Sequence, residues 1–250
     1  MEVRYVGHGT CLIDVDGVRL ITDPVLRRMV LHLRRVAPLR LGPPRAAHAV
    51  LISHAHHDHL DVPSLLRLGR AAHLVVPRGA GRMLRRRGFS MVTEVEAGER
   101  VEVGPVGVRA VPAAHDGSRP PYVPAAPALG YVVEGSLQVY FAGDTGLYPD
   151  LAAIAVGVDV ALLPVWGWGL RLGRGLHLDP ESAAEAVRLL KPRVAIPIHW
   201  GTFLPAHRRR PSTLRTPPLD FAAAVRRLAP AVDVRVLQPG EQTVVTPRAP

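Results

Sequence analysis

One stretch concentrates groups able to hold a metal: Ser53-His54-Ala55-His56-His57-Asp58-His59-Leu60-Asp61. His54 and His56 stand at i and i+2, followed by the carboxylate of Asp58 and the imidazole of His59. Neutral imidazole and carboxylate suit zinc and its first-row neighbours. The stretch directly follows an apolar strand, Ala49-Val50-Leu51-Ile52. A chance cluster on a solvated loop is the competing reading. Polar rings beside a buried strand need partners, however, so chance is the costlier explanation. The remaining ligands must come from elsewhere in the chain.

The elements that would position them follow from periodicity and turn chemistry. Residues 3–6 and 11–15 read as strands. Asp16-Gly17 between Leu12-Ile13-Asp14-Val15 and Val18-Arg19-Leu20-Ile21 predicts a two-residue hairpin. The returning strand ends at Thr22-Asp23-Pro24. Residues 26–37 place Leu26, Met29, Val30, Leu33 and Ala37 at helical spacing, with Arg27, Arg28, Arg34 and Arg35 opposite, and so predict an amphipathic helix. Residues 38–47 read as loop. Asp61 is placed to cap a helix starting near Val62-Pro63. Strands are predicted at 73–77, 91–95, 100–103 and 106–111, with a short basic helix at 79–87. Gly79-Ala80-Gly81 reads as a turn. The strand 106–111 runs out at Pro112-Ala113-Ala114-His115, and 116–127 is a long loop able to wall a site.

In the second half, Gly130–Val133 and Gln138–Phe141 predict a hairpin about Gly135, ending at Ala142-Gly143-Asp144. A short helix follows Pro149. Residues 158–164 read as a buried strand before the Trp166-Gly167-Trp168 loop. Asp179-Pro180-Glu181 opens a helix that Lys191-Pro192 stops. Residues 194–198 form a strand ending at His199. A helix at 219–228 and strands at 233–237 and 242–245 complete the chain. Five strand-like runs thus end in a residue able to ligate metal or orient a ligand: Asp23, His54, His115, Asp144 and His199. Ligands of sheets flanked by helices gather beyond the strands' carboxyl ends.

Composition narrows the class. The chain has 250 residues with 48% hydrophobic content and a mean hydropathy of +0.13, which allows a substantial core. No apolar run approaches a bilayer span. Met1-Glu2-Val3-Arg4-Tyr5 enters strand-like alternation without the features of a signal peptide. The single cysteine, Cys11, excludes an internal disulfide framework. A cytoplasmic protein is expected, with no linker dividing it into independent domains. The net charge is +10, carried almost entirely by arginine, and Lys191 is the sole lysine. That charge attracts anions. Aromatic residues interleaved with a basic strip, which nucleic-acid binding would favour, are lacking. Nothing in the sequence specifies an oligomeric state.

The His-x-His-x-Asp-His motif at 54–59, with His115, Asp144 and His199 in order behind it, resembles the metallo-β-lactamase superfamily. The resemblance covers nearly the whole chain. It implies an α/β fold, a four-layer αββα sandwich, here one domain with αβ halves at roughly 1–127 and 128–250. It implies two divalent ions, zinc first and manganese or iron as alternatives. One ion would take His54, His56 and His115. The other would take Asp58, His59 and His199, and Asp144 would bridge them. Asp23 and His8 would stand behind the ligands, with a buried structural role the alternative for His8.

Shorter motifs resemble the group containing N-acyl-phosphatidylethanolamine phospholipase D and L-ascorbate-6-phosphate lactonase. They are Gly7-His8-Gly9-Thr10, Thr22-Asp23-Pro24, Asp58-His59-Leu60-Asp61, His177-Leu178-Asp179-Pro180-Glu181 and His199-Trp200-Gly201-Thr202-Phe203. Gly42-Pro43-Pro44-Arg45 resembles that group's Gly-Pro-Lys-Arg loop, with Pro in place of Lys. The phospholipase's longer N-terminal extension and most of its Trp-Gly-rich stretch have no counterpart here. The expected activity is hydrolysis of an anionic ester, first a phosphodiester, by a metal-bridging hydroxide. A lactonase or other carboxylic-ester or amide hydrolase is the alternative, and a non-catalytic metal-binding or sensing protein the alternative from another class. Asp58 and His177 are the expected catalytic residues. His177, Trp166, Trp168, His207 and Arg208 are expected to meet the substrate. The expected partner is a small-molecule or lipid-like anion, with transient contact of the 26–37 segment with a membrane surface.

Overall fold

The computed structural model describes residues 1–41, 46–117, 125–155, 157–166, 175–206 and 214–247. The first half contains β1 (Glu2–Gly7), β2 (Thr10–Val15), β3 (Val18–Thr22), β4 (Met29–Val30), β5 (Leu33–Arg35), β6 (Ala49–Leu51), α1 (Val62–Leu68), β7 (Leu74–Pro77), α2 (Gly81–Arg85), β8 (Val92–Val95), β9 (Arg100–Val103) and β10 (Val106–Pro112). The second contains β11 (Leu129–Glu134), β12 (Gln138–Phe141), α3 (Leu151–Ile154), β13 (Val160–Pro164), α4 (Pro180–Leu190), β14 (Val194–Ile198), β15 (Phe203–Pro205), α5 (Thr216–Leu228), β16 (Asp233–Val234) and β17 (Gln242–Val244). Among the described residues, no helix is long and apolar enough to cross a membrane.

Two seven-stranded sheets form the frame, in the orders β17-β1-β2-β3-β6-β7-β8 and β16-β14-β13-β12-β11-β10-β9. Strands β3, β6, β7 and β8 pair in parallel, as do β12, β13, β14 and β16. Such strands are covered on both faces and need continuous apolar runs. β13 and β14 satisfy this with every residue buried. In the first sheet the side chains divide by parity. Val3, Tyr5, Ile13, Leu20, Leu51 and Val75 join the core shared with the second sheet. Val6, Leu12, Ile21, Val50, Leu74 and Val76 face outward onto Leu65 of α1 and Leu84 of α2. Ala183, Val187 and Leu190 of α4, with Phe221 and Val225 of α5, close the far side of the second sheet. The result is the α/β sandwich of layers expected from the sequence.

Local signals operate as read. Asp16 and Gly17 both take positive φ, +49° and +80°, the backbone that a tight hairpin between twisted strands requires. The Asp61 side chain accepts from Ser64 N at the start of α1. Asp179 and Ser182 form a reciprocal cap on α4, and Lys191 ends that helix in the left-handed conformation. Boundaries shift modestly: α2 covers only 81–85, α5 begins at Thr216, and the strand expected at 233–237 is two residues long.

The helix expected at 26–37 does not form. The segment folds as the β4–β5 hairpin, and β5 pairs with β15 through Phe203↔Arg35, Leu204↔Arg34 and Pro205↔Leu33. Val30 and Leu33 bury against Val25 and Phe203. Arg27 leaves the presumed polar face to form a two-pronged bond with Asp61. Arg35 turns inward: its Nε donates to Arg27 O, its guanidinium lies 4.7 Å from the Phe203 ring centroid, and burial lowers its pKa to about 10. A partner strand some 170 residues away, as the register shows, outweighed a weak helical preference.

The two halves are also tied at the hairpin ends remote from the site. Asp16 accepts from the Ser136 hydroxyl at 2.5 Å and the Ser136 amide at 2.6 Å. Gly135 is needed beside it, since a Cβ there would come within 2.5 Å of Asp16 Oδ2. The Ser136 hydroxyl and amide lower the Asp16 pKa. A carboxyl depressed on folding stabilises above its unfolded pKa, about 3.9, and loses that contribution as pH falls through the folded value. Asp16→Asn keeps a residue tolerant of positive φ. It should lower the urea midpoint at pH 7, with the gap to wild type closing toward pH 2. An unchanged midpoint at pH 7 would show that this carboxylate does not couple the turns.

Candidate metal centre

The carboxyl ends of seven strands meet at one edge of the two sheets. They deliver His8 from β1, Asp23 from β3, His54 from β6, His115 from β10, Asp144 from β12, Trp166 from β13 and His199 from β14. Three of these residues carry strained backbone for non-glycine: φ is +59° at His8, +34° at Asp23 and +63° at His199. The loop after β6 is closed by bonds from His59 N and Leu60 N to His56 O, at 2.9 and 2.8 Å. That turn sends His56 and His59 inward and leaves His57 exposed.

The side chains form two adjoining groups. In the first, His54 Nε2 lies 3.0 Å and His115 Nε2 lies 3.4 Å from His56 Nδ1. In the second, single ligand atoms of His8, Asp58, His59 and His199 all lie within 4.8 Å of one another. Asp144 stands between the groups. Its Oδ2 is 3.4 Å from His59 Nε2, and its Oδ1 is 3.3 Å from His199 Nε2. Asp144 also clusters with His115 and His177.

Outer contacts decide what the inner atoms offer. Ser53 Oγ donates to Asp23 Oδ2 at 2.5 Å, so it accepts from His54 Nδ1 at 2.9 Å. His59 Nδ1 donates to Asp23 Oδ2 at 2.7 Å. His115 Nδ1 donates to Leu176 O at 2.9 Å, and His199 Nδ1 donates to Trp166 O at 3.1 Å. In each of the four rings Nδ1 carries the hydrogen, and Nε2 presents its lone pair to the interior. In the first group His54 Nε2 and His115 Nε2 both face His56 Nδ1, and in the second acceptor faces acceptor, nitrogen to carboxylate. Only protons or cations can occupy such positions favourably. His59 Nε2 and Asp144 Oδ1 are buried and make no hydrogen bond among the described residues. Separations of 3.0 and 3.4 Å in the first group match the roughly 3.3 Å edge of a tetrahedron with bonds of about 2.0–2.1 Å. The donor set fits first-row divalent ions.

The electrostatics point the same way. Burial, with the neighbouring His59 charge, drives His54 far below its ordinary pKa, and burial lowers His199 to about 3 despite Asp144. Burial likewise lowers His115. These rings are neutral at neutral pH. Burial alone would raise Asp144, but His199 and His59 hold it well below the carboxylate range. Burial would also raise Asp58, but the His8 hydrogen bond and the His59 charge pull it down. Burial would lower His59, yet Asp144 and Asp23 hold it well above its ordinary value.

The other expected residues divide. His177 Nε2 is 3.3 Å from Asp144 Oδ2, and its ring centroid is 4.6 Å from that of His115, so it stands within the cluster. It is held there by the Leu178 N–Thr145 O bond and by the cap of α4 that begins two residues later. Trp166 meets the site through its backbone carbonyl, while its half-buried ring packs on the main core. Trp168, His207 and Arg208 lie outside the described residues, as does Gly42–Arg45. Sequence reasoning assigned no role to Ser53, although its position before the motif supplies the hydroxyl between Asp23 and His54. Nothing local in the sequence marks the carbonyls of Leu176 and Trp166.

Asp23 offers a direct test of this arrangement. It accepts from Ser53 N at 2.7 Å as well as from Ser53 Oγ and His59 Nδ1. Asp23→Ala should weaken metal binding about 10–100-fold, as loss of such outer partners does. Competition against a chelator of known affinity would measure it. Wild-type affinity would mean that His54 and His59 are oriented without Asp23.

Residues 18–200 match the model of the beta-lactamase superfamily domain. The chain is 32% identical to a UPF0173 metal-dependent hydrolase of Methanopyrus kandleri, over 96% of this chain and 98% of the relative. It is 34% identical to another of that name from Deinococcus radiodurans, over 97% and 99%. Among solved structures, Igni18, a metallo hydrolase from the archaeon Ignicoccus hospitalis, is 26% identical with a TM-score of 0.73, and 99% of each chain is covered. The chain therefore belongs to the metallo-β-lactamase superfamily, within the UPF0173 family of metal-dependent hydrolases.

Proposed function

We propose that this metal-dependent hydrolase holds two divalent ions, zinc before manganese or iron, and cleaves an anionic ester, first a phosphodiester. The observation that carries the reading is the pair of adjoining His and Asp groups, each gathering potential ligand atoms within 4.8 Å, with Asp144 between them. His54, His56 and His115 would hold one ion. Asp58, His59 and His199 would hold the other, and Asp144 would touch both. When bound, such a pair supplies an activated water near neutral pH and polarises the ester oxygen. No Ser or Cys nucleophile is required, and Cys11 is buried with its thiol pKa pushed up to about 12.

The protein's own groups would do the rest. Asp58 keeps a carboxylate at the substrate side, where its side chain is 20% exposed. His177, 14% exposed and bonded to Asp144, would hold or protonate the reacting oxygen. The net charge of +10 favours an anionic substrate. The motif resemblance to the phospholipase D and ascorbate-phosphate lactonase group supports the same substrate class, and makes a lactone the second reading. Exposed Met29 and Leu31 with exposed Arg28 and Arg34 on the β4–β5 hairpin suit transient contact with an anionic membrane surface. The lone cysteine suits the reducing cytoplasm.

A metal-replete preparation should contain close to two ions per chain by elemental analysis. It should hydrolyse bis-p-nitrophenyl phosphate faster than p-nitrophenyl phosphate, a homoserine lactone or a β-lactam. Preference for the lactone would replace the phosphodiester reading. Asp144→Ala should abolish turnover with circular dichroism unchanged; a wild-type rate would remove Asp144 from the centre.

His177→Ala should lower kcat by about 10²–10³ with metal content unchanged, the size expected for a group stabilising the reacting oxygen. Loss of an ion in this variant would make His177 a ligand instead.

A further inference from the structure

We propose that His8 is a positioning residue for the Asp58–His199 half of the metal centre, one side chain that fixes both a carboxylate and an imidazole ligand. The inference rests on the reading of Asp58, His59 and His199 as the ligands of one ion. His8 is 2% exposed. Its Nε2 donates to Asp58 Oδ2 at 3.1 Å, the carboxylate oxygen that also lies 3.9 Å from His59 Nε2. Its ring lies over that of His199, with centroids 3.9 Å apart and planes inclined by 36°. The edge of Phe203 backs the same ring at 5.3 Å.

The backbone holds His8 as firmly as the side chain holds its neighbours. His8 O accepts from His199 N at 2.9 Å, so the ends of β1 and β14 are joined directly. His8 N donates to Tyr5 Oη at 3.1 Å and to Thr202 Oγ1 at 2.8 Å. Tyr5 Oη and Thr202 Oγ1 in turn both donate to Trp200 O, beside His199. Gly7 is required at this crossing, where a Cβ would lie 2.5 Å from Thr202 Oγ1. The strained φ of +59° is therefore over-determined, and strain kept this way marks a position whose side-chain direction matters. Asp58 needs such a partner. It is the most exposed of the three ligands of its group, with its side chain 20% exposed against 1% for His59 and His199. A loose carboxylate would ligate poorly, and a hydrogen bond to one of its oxygens is the usual remedy.

The test is a calorimetric zinc titration of the full chain, with wild type and Asp58→Ala as references. Two ions in wild type and one in Asp58→Ala establish the underlying reading; any other result in these two overturns that reading itself. Against that background, His8→Ala should bind the first ion as wild type does and the second about 10–100-fold more weakly. His8→Leu keeps bulk without a donor and should behave as His8→Ala does. His8→Gln places an amide donor near the Nε2 position and should recover most of the lost affinity. Thermal melting without metal controls for folding. Wild-type affinity for both ions in His8→Ala and His8→Leu would overturn the proposal. So would equal weakening of both ions, which marks a merely structural role, or a failure of His8→Gln to recover anything, which marks a direct ligand.

Discussion

The buried carboxylate of Asp23 is the constraint on which the site depends. It ends β3 at zero exposure and accepts from Ser53 N, Ser53 Oγ and His59 Nδ1. Its own amide donates to Leu51 O, at the end of the neighbouring strand β6. A carboxylate this deep is tolerated only when its lone pairs are filled. Filling them fixes the end of β6, the direction of the His54 ring through Ser53, and the direction of His59. One buried charge thus converts the parallel β3–β6 edge into a rigid mount for both halves of the centre. Removing a partner would leave an uncompensated buried charge, which costs far more than the bond itself contributes.

The inner face of the site is organised on the opposite principle. Outer bonds satisfy Nδ1 of His54, His59, His115 and His199, and in doing so turn their Nε2 atoms toward His56 Nδ1 and toward Asp144. A protein folded for stability alone would avoid opposing acceptors in a buried space. Here neutral rings, depressed by burial, and carboxylates, held ionised by neighbouring histidines, create a place where positive charge is strongly favoured.

The sandwich makes this concentration of charge affordable. Apolar residues of both sheets form one continuous core, and the ends of seven strands emerge from it at a single edge. Backbone groups there leave the ladders and become available to side chains, as the carbonyl of Trp166 shows by holding His199. The strained φ values at His8, Asp23 and His199 occur at these exits, where the chain must turn its side chain back over the strand it has just left.

Much of this was legible in the chain. The motif at 54–59 named four ligand-capable residues, because their spacing is chemistry in itself. His115, Asp144 and His199 were legible as residues ending apolar strands, since a buried strand must deliver its next polar residue to the edge of the core. The hairpin at Asp16-Gly17 and the caps at Asp61 and Asp179 were legible because they depend on contacts within four residues. What spacing could not decide was anything resting on a distant partner. Residues 26–37 carry helical periodicity, yet they fold as a hairpin because β15 offers β5 backbone bonds and Phe203 offers Val30 and Leu33 a covering. The direction of each imidazole was equally hidden, since it is set by a carbonyl or carboxylate brought near by the fold. Local sequence determined which groups reach the edge; tertiary structure decided which way they face, because that is fixed by hydrogen bonds between residues far apart in the chain.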